Sequence, residues 1–212
     1  MERQRTTIQT SSDVTTGKTT LTLKILLATG ALAVGLTGPQ IPNATEAPEI
    51  QPLPVIPYEY SWKCEDCSPE EQYVLEQLQE HTKISDRNAL ATIMGNIKQE
   101  SKFISNICEG GARVSYSDCH RGGYGLIQWT SIGRYNNLGK FCTKYGCDPS
   151  SLEGQTRYMI NESVFQRYLP EFEGRGKTVD QYMVPAYYWL GWGIKGHREL
   201  YAYEYSKKLV LA

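Results

Sequence analysis

The sequence predicts a mainly α-helical domain with a small β-hairpin region, an α+β fold, behind an N-terminal apolar helix and a proline-rich linker. Three observations carry this expectation. Ser68-x-x-Glu71 and Thr178-x-x-Gln181 are capping boxes, which mark helix starts far apart in the chain. Leu90, Ile93, Met94 and Ile97 recur at the three-to-four spacing of one buried helix face. Residues 104–127, in contrast, are glycine-rich, with short β-like pieces at "ARVSYS" and "YGLIQW".

In chain order, residues 1–20 are rich in Thr and Ser and read as disordered or held by a partner. Residues 21–38 form an apolar stretch: from Ile25 to Leu36 every residue is apolar or small, with Thr29 the only hydroxyl. Arg3, Arg5, Lys18 and Lys24 precede the Ile25–Leu36 core, against Glu2 and Asp13, and over residues 41–67 the acids Glu46, Glu49, Glu59, Glu65 and Asp66 follow it with only Lys63. A basic flank before a short apolar run matches a signal-sequence core. A clean cleavage site is missing, since Ala31-Leu32-Ala33 lies inside the run. An uncleaved or slowly released anchor is therefore expected, with the N-terminus cytoplasmic and the remainder across the membrane. The run falls short of the roughly 20 residues of a stable span, so a helix buried in a larger assembly is the alternative. Residues 39–60 are a stiff linker: six of the chain's ten prolines fall between residues 38 and 57.

The folded domain is expected over 61–212. Ser68 with Pro69 starts a helix running to about His81. Asp86 caps the helix bearing the Leu90–Ile97 face. Further helices are expected at 132–145, 152–168, 179–190 and 197–210. Six cysteines pair by proximity along a chain expected outside the cytosol: disulfides Cys108–Cys119 and Cys142–Cys147 are favoured. Cys64-x-x-Cys67 could be half of a zinc site, but His81, His120 and His197 are scattered, and no metal or other cofactor is expected.

A net charge of −1 and the lack of a basic stripe argue against nucleic acid as a partner. Tyrosine stands out, with 15 copies against 4 phenylalanines. Its apolar ring and polar tip suit half-buried helix faces and sugar-binding grooves alike.

The chemistry centres on Glu100. It ends the apolar helix face, where partial burial and the negative end of the helix dipole both disfavour a carboxylate and suit a proton donor. Glu109, and less strongly Asp118, are the candidates for a second carboxylate. In Gly-Tyr-Gly-Leu-Ile-Gln-Trp the glycines allow close backbone approach and Gln128 offers an amide to sugar hydroxyls. Tyr124 and Trp129 are candidate stacking rings, and Ser101, beside the acid, a candidate substrate contact. A packing role is open for each of them.

"MGNIKQESKF" followed by "GGYGLIQWTSIGR" resembles the phage tail lysozyme family of the lysozyme-like superfamily. It is also similar to lytic transglycosylases, whose Glu-Ser motif precedes Gly-Leu-x-Gln. The resemblance covers residues 68–205 and is strongest over 90–135. It implies a lysozyme-like catalytic domain at 61–212, bacterial peptidoglycan as substrate and Glu100 as general acid. With the anchor-like run, it also implies a domain facing the periplasm from the inner membrane, as a tethered endolysin, or one carried with other virion proteins. Hydrolysis with Glu109 as second group is the favoured chemistry. A lytic transglycosylase using the same acid, or a non-catalytic virion protein of the same fold, is the alternative. The insertion bounded by Cys108 and Cys119 departs from the family pattern.

Overall fold

A computed structural model describes residues 61–212; the N-terminal stretch, the apolar run at 21–38 and the linker to residue 60 lie outside the described residues. Among the described residues no helix is long and apolar enough to cross a membrane.

The helices begin where short polar side chains take over orphaned backbone donors. β1 (Trp62–Lys63) leads into α1 (Pro69–His81), whose capping box forms as expected: Glu71 N–H donates to Ser68 Oγ and Ser68 N–H to the Glu71 carboxylate. α2 (Arg87–Ser101) starts on Asp86, whose Oδ1 accepts from the Asn88 and Ala89 N–H groups. A single 3-10 turn spans Tyr116–Asp118. α3 (Ile132–Tyr145) occupies the span expected for it and stops at left-handed Gly146. α4 (Leu152–Asn161) and α5 (Ser163–Phe172) follow. α6 (Val179–Leu190) carries the second capping box, and α7 (Arg198–Lys208) runs into β2 (Val210–Leu211). β2 pairs antiparallel with β1, Trp62 opposite Leu211 and Lys63 opposite Val210, so the two ends of the domain are stitched together.

α2 is the hub. The expected buried face, Leu90, Ile93, Met94 and Ile97, is fully covered, yet every residue from Ala89 to Ile97 is buried, polar Thr92 and Asn96 included. A helix hidden on all sides is central to its domain. Here α7 and α6 pack on it, with α1 on another flank. Thr92 Oγ1 and the Asn96 amide nitrogen donate to the carbonyls of Asn88 and Thr92 within the helix, while Asn96 Oδ1 is buried without a hydrogen-bond partner among the described residues.

Two expectations are corrected. The single helix over 152–168 is broken at Glu162, whose backbone is extended. Its buried carboxylate accepts two 2.6 Å hydrogen bonds from Arg134 on α3, and that pair turns the chain where no Gly or Pro marks a break. The hairpin region at 104–127 is a looped segment held by two isolated bridges, Ile107 to Arg113 and Cys108 to Tyr124. Gly110, Gly111, Gly122 and Gly125 all have positive φ, which interrupts a regular ladder. All six cysteines are paired, Cys64–Cys67, Cys108–Cys119 and Cys142–Cys147, so the C-x-x-C is a disulfide.

Candidate active site

Glu100 sits in the last turn of α2, half-buried. The helix ends abruptly after it: Lys102 and Phe103 both take left-handed backbone, φ 53° and 63°. Non-glycine residues pay for that conformation, and such strain gathers at functional sites. Phe103 is buried edge-on against Tyr205 of α7, which holds the turn in place.

The carboxylate of Glu100 is not left facing an apolar wall alone, as the sequence suggested. Its Oε1 accepts a hydrogen bond from Nη2 of Arg198, the first residue of α7. Arg198 is buried, with 6% of its surface exposed. Its Nη1 donates to the carbonyls of Ile194 and Lys195 at 2.8 Å each, and its guanidinium lies 4.8 Å from the ring centre of Trp192. Arg198 thus fastens the loop between α6 and α7 to the candidate acid. Sequence reasoning missed it, because nothing local relates two residues 98 positions apart.

The second motif reaches the end of α2 through backbone. Ser101 Oγ donates to the Leu126 carbonyl at 2.7 Å. Gln155 of α4, fully buried, accepts from Leu126 N–H and donates to the Ser105 and Pro149 carbonyls, all at 2.7 Å. Gly125 has φ 71°, and a Cβ there would overlap the Gln155 amide, so this turn requires glycine. Gln155 is a second residue that sequence alone did not single out.

Within the turn, Gln128 also has positive φ, 52°, and its amide donates to the Gly125 carbonyl at 2.9 Å. Among the described residues, the three non-glycine positive-φ positions, Lys102, Phe103 and Gln128, all lie in or beside the two motifs.

The other candidates are placed as follows. Tyr124 and Trp129 are fully buried: Tyr124 packs edge-on against Tyr116 and Tyr135, and Trp129 against Tyr158. Neither ring offers a face to a sugar in this arrangement. Ser101, 3% exposed, spends its hydroxyl on Leu126. Glu109 is exposed beside the Cys108–Cys119 disulfide; its carboxylate lies over Gly122 and accepts from Gly123 N–H at 2.9 Å. Asp118 is exposed and accepts from Ser115 and Ser117. The 123–128 turn is thus bonded to Ser101, the residue after Glu100, on one side and to the Glu109 carboxylate on the other. An open hollow is lined by Tyr116, His120, Arg121, Gly122 and Tyr135, and neither Glu100 nor Glu109 lines it.

Burial raises several phenols here. Tyr135 is pushed up to about 12 by burial, reinforced by Tyr116 and Tyr124. Tyr158 is raised further, by burial and by the Glu162 charge. Among the described residues no group of three or more His, Cys, Asp or Glu could hold a metal ion.

With the Glu-Ser end of α2 joined to a strained Gly-Leu-Ile-Gln turn, the comparison with known proteins is decisive. The phage tail lysozyme family model matches residues 70–183, more than half of the chain. The chain belongs to this family. No curated protein and no solved structure matches it. The family match spans α1 to the first half of α6 and includes both motifs. Arg198 lies beyond its end, so the partner of the candidate acid comes from a part of the fold that the match does not reach.

Proposed function

We propose that this phage tail lysozyme family member cleaves the β-1,4 glycan of bacterial peptidoglycan, with Glu100 as general acid. The observation that carries the reading is the bonded junction of the two motifs: Ser101, next to Glu100, donates to Leu126 of the Gly-Leu-Ile-Gln turn. Family membership supports peptidoglycan as the substrate. Glu100 on protonation donates from one oxygen to the glycosidic oxygen, and the C–O bond breaks with charge developing at the anomeric carbon. Water then attacks the anomeric carbon, and its proton passes to a second carboxylate, for which Glu109 is the candidate.

One observation favours a second reading. One oxygen of the Glu109 carboxylate accepts from the Gly123 N–H, which ties it to the 123–128 turn. A lytic transglycosylase needs no second carboxylate, because the sugar's own 6-hydroxyl attacks and leaves an anhydro end. Reducing-end analysis of digested peptidoglycan separates the two: anhydro ends overturn hydrolysis and leave Glu100 in place.

We also infer that residues 21–38 anchor the chain in the inner membrane with the catalytic domain periplasmic, on the strength of the one-sided basic flank. Protection of the C-terminal domain from protease in spheroplasts contradicts this. The decisive test of function is a zymogram on purified peptidoglycan with wild type and Glu100→Gln. General acid catalysis contributes about 10²–10⁴-fold, so a folded Glu100→Gln protein should lose at least about 100-fold of the activity. A folded variant with full activity refutes the assignment of Glu100, whereas a wild type with no activity leaves a glycan-binding virion protein as the reading.

A further inference from the structure

The rings that the sequence offered for sugar stacking, Tyr124 and Trp129, are buried, yet a different set of rings is open to solvent beside Glu100. Tyr187 and Tyr188 at the C-terminal end of α6 are 47% and 58% exposed. Tyr168 of α5 stacks on Tyr188 at 5.9 Å between ring centres, Tyr188 meets Tyr187 edge-on at 5.3 Å, and Tyr187 meets Trp192 edge-on at 5.3 Å. Trp192 in turn lies under the guanidinium of Arg198, which binds Glu100. Four rings therefore form one continuous file that ends on Trp192, and Arg198 links that last ring to the candidate acid.

Resting on the lysozyme reading above, we propose that Tyr168, Tyr188, Tyr187 and Trp192 form the track on which the glycan strand lies as it enters the site. Tyr187 and Tyr188 are the exposed centre of the row, and Tyr168 and Trp192 are its half-buried ends, anchored on the core; adjacent exposed rings mark an interaction surface. The chemistry of the row selects its occupant. A pyranose presents an apolar C–H face to a ring and hydroxyls at its rim, and tyrosine answers both with one side chain. A strand cut at Glu100 has to run past Glu100, and the row ends at Trp192, one side chain away from it. Arg198 joins the last ring to the acid, so the sugar seated on Trp192 is registered against Glu100 by a single side chain.

The test uses the full chain in detergent, insoluble peptidoglycan sacculi for binding, and dye release for kcat and KM. The double variant Tyr187→Ser/Tyr188→Ser removes two rings that are not part of the core. Tyr145→Ser on α3, also an exposed tyrosine, is the control. Sacculus affinity should fall and KM rise by about tenfold in the double variant, with kcat changed by less than about twofold, the pattern of lost uniform binding. The control should match wild type. Unchanged affinity and KM in the double variant overturn the track while leaving Glu100 catalysis standing. A wild type that binds sacculi through these tyrosines but releases no sugar ends supports the track and sinks the lysozyme reading. If light scattering shows the double variant dissociating a dimer, with KM unaltered, the face is a contact between copies and the proposal fails.

Discussion

Gly95 is the point of closest approach between α2 and α7, and Gly95→Ala tests whether that contact builds the site. A methyl group there would lie 2.7 Å from Ala202 Cα and 2.9 Å from the Arg198 carbonyl, and closer still to Ala202 N. All three are backbone atoms of a regular helix, so no side chain can swing aside. Comfortable carbon contacts begin near 3.5 Å, so α7 must retreat by about 1 Å. Overpacking of this kind costs about 1–3 kcal/mol, and rigid backbone puts it at the upper end. Alanine returns up to about 1 kcal/mol through helix propensity, which leaves a net loss of about 2 kcal/mol. For a domain of this size that corresponds to a fall in Tm of about 4–8 °C. The functional effect should be larger, because one of the three atoms pushed is the Arg198 carbonyl and the other two lie on the same helix. Displacement of a positioned group by about 1 Å can cost up to 100-fold in rate. Urea unfolding followed by tryptophan fluorescence measures the first effect, and turbidity loss of a peptidoglycan suspension the second. Gly133→Ala, in α3 with nothing near its added methyl, is the matched control and should be neutral to stabilising. If Gly95→Ala is as stable and as active as Gly133→Ala, the α2–α7 packing described above does not hold the acid.

Arg198→Met should lower activity by at least about tenfold and destabilise by about 1–3 kcal/mol, since it strips a carboxylate and two carbonyls of their donor; Arg198→Lys should recover part of both, and a fully active Arg198→Met removes Arg198 from the site. Glu109→Gln should lower hydrolysis by about 100-fold if Glu109 handles the attacking water; near wild-type rates make it a loop acid that caps Gly123. Stability should fall in alkali. Tyr135 and Tyr182 are both pushed up to about 12 by burial, with Tyr116 and Asp86 respectively adding to it, whereas an unfolded tyrosine titrates near 10. A phenol held neutral by the fold contributes stability that is complete below about pH 10 and is lost as pH rises from there through about 12. The urea midpoint should therefore drop between about pH 10 and pH 12, and absorbance titration should show fewer than 15 phenols ionising while the fold persists; full ionisation of all tyrosines near pH 10 in the folded protein contradicts their burial.

Much of the fold is written locally. The capping boxes at Ser68 and Thr178, the Asp86 cap and glycine at position 146 set helix boundaries because backbone donors and acceptors are satisfied within a few residues. The Leu90–Ile97 spacing placed α2 in the core, and the short cysteine separations at Cys108–Cys119 and Cys142–Cys147 made those pairings legible. The two motifs pointed to Glu100 and to the family. Tertiary structure decided the rest. Helix α4 ends at Glu162 only because Arg134, 28 residues earlier, claims a buried carboxylate. Tyr124 and Trp129 look the same in sequence whether they face a sugar or the core, since an aromatic ring suits both, and neighbours brought in from α3 and α4 bury them. The ion partner of Glu100, the ring file leading to it and the buried Gln155 brace all depend on side chains that meet across the fold. A charge pair or a stacked ring leaves no mark in local spacing, so only the packing of α7 and α6 around α2 could disclose them.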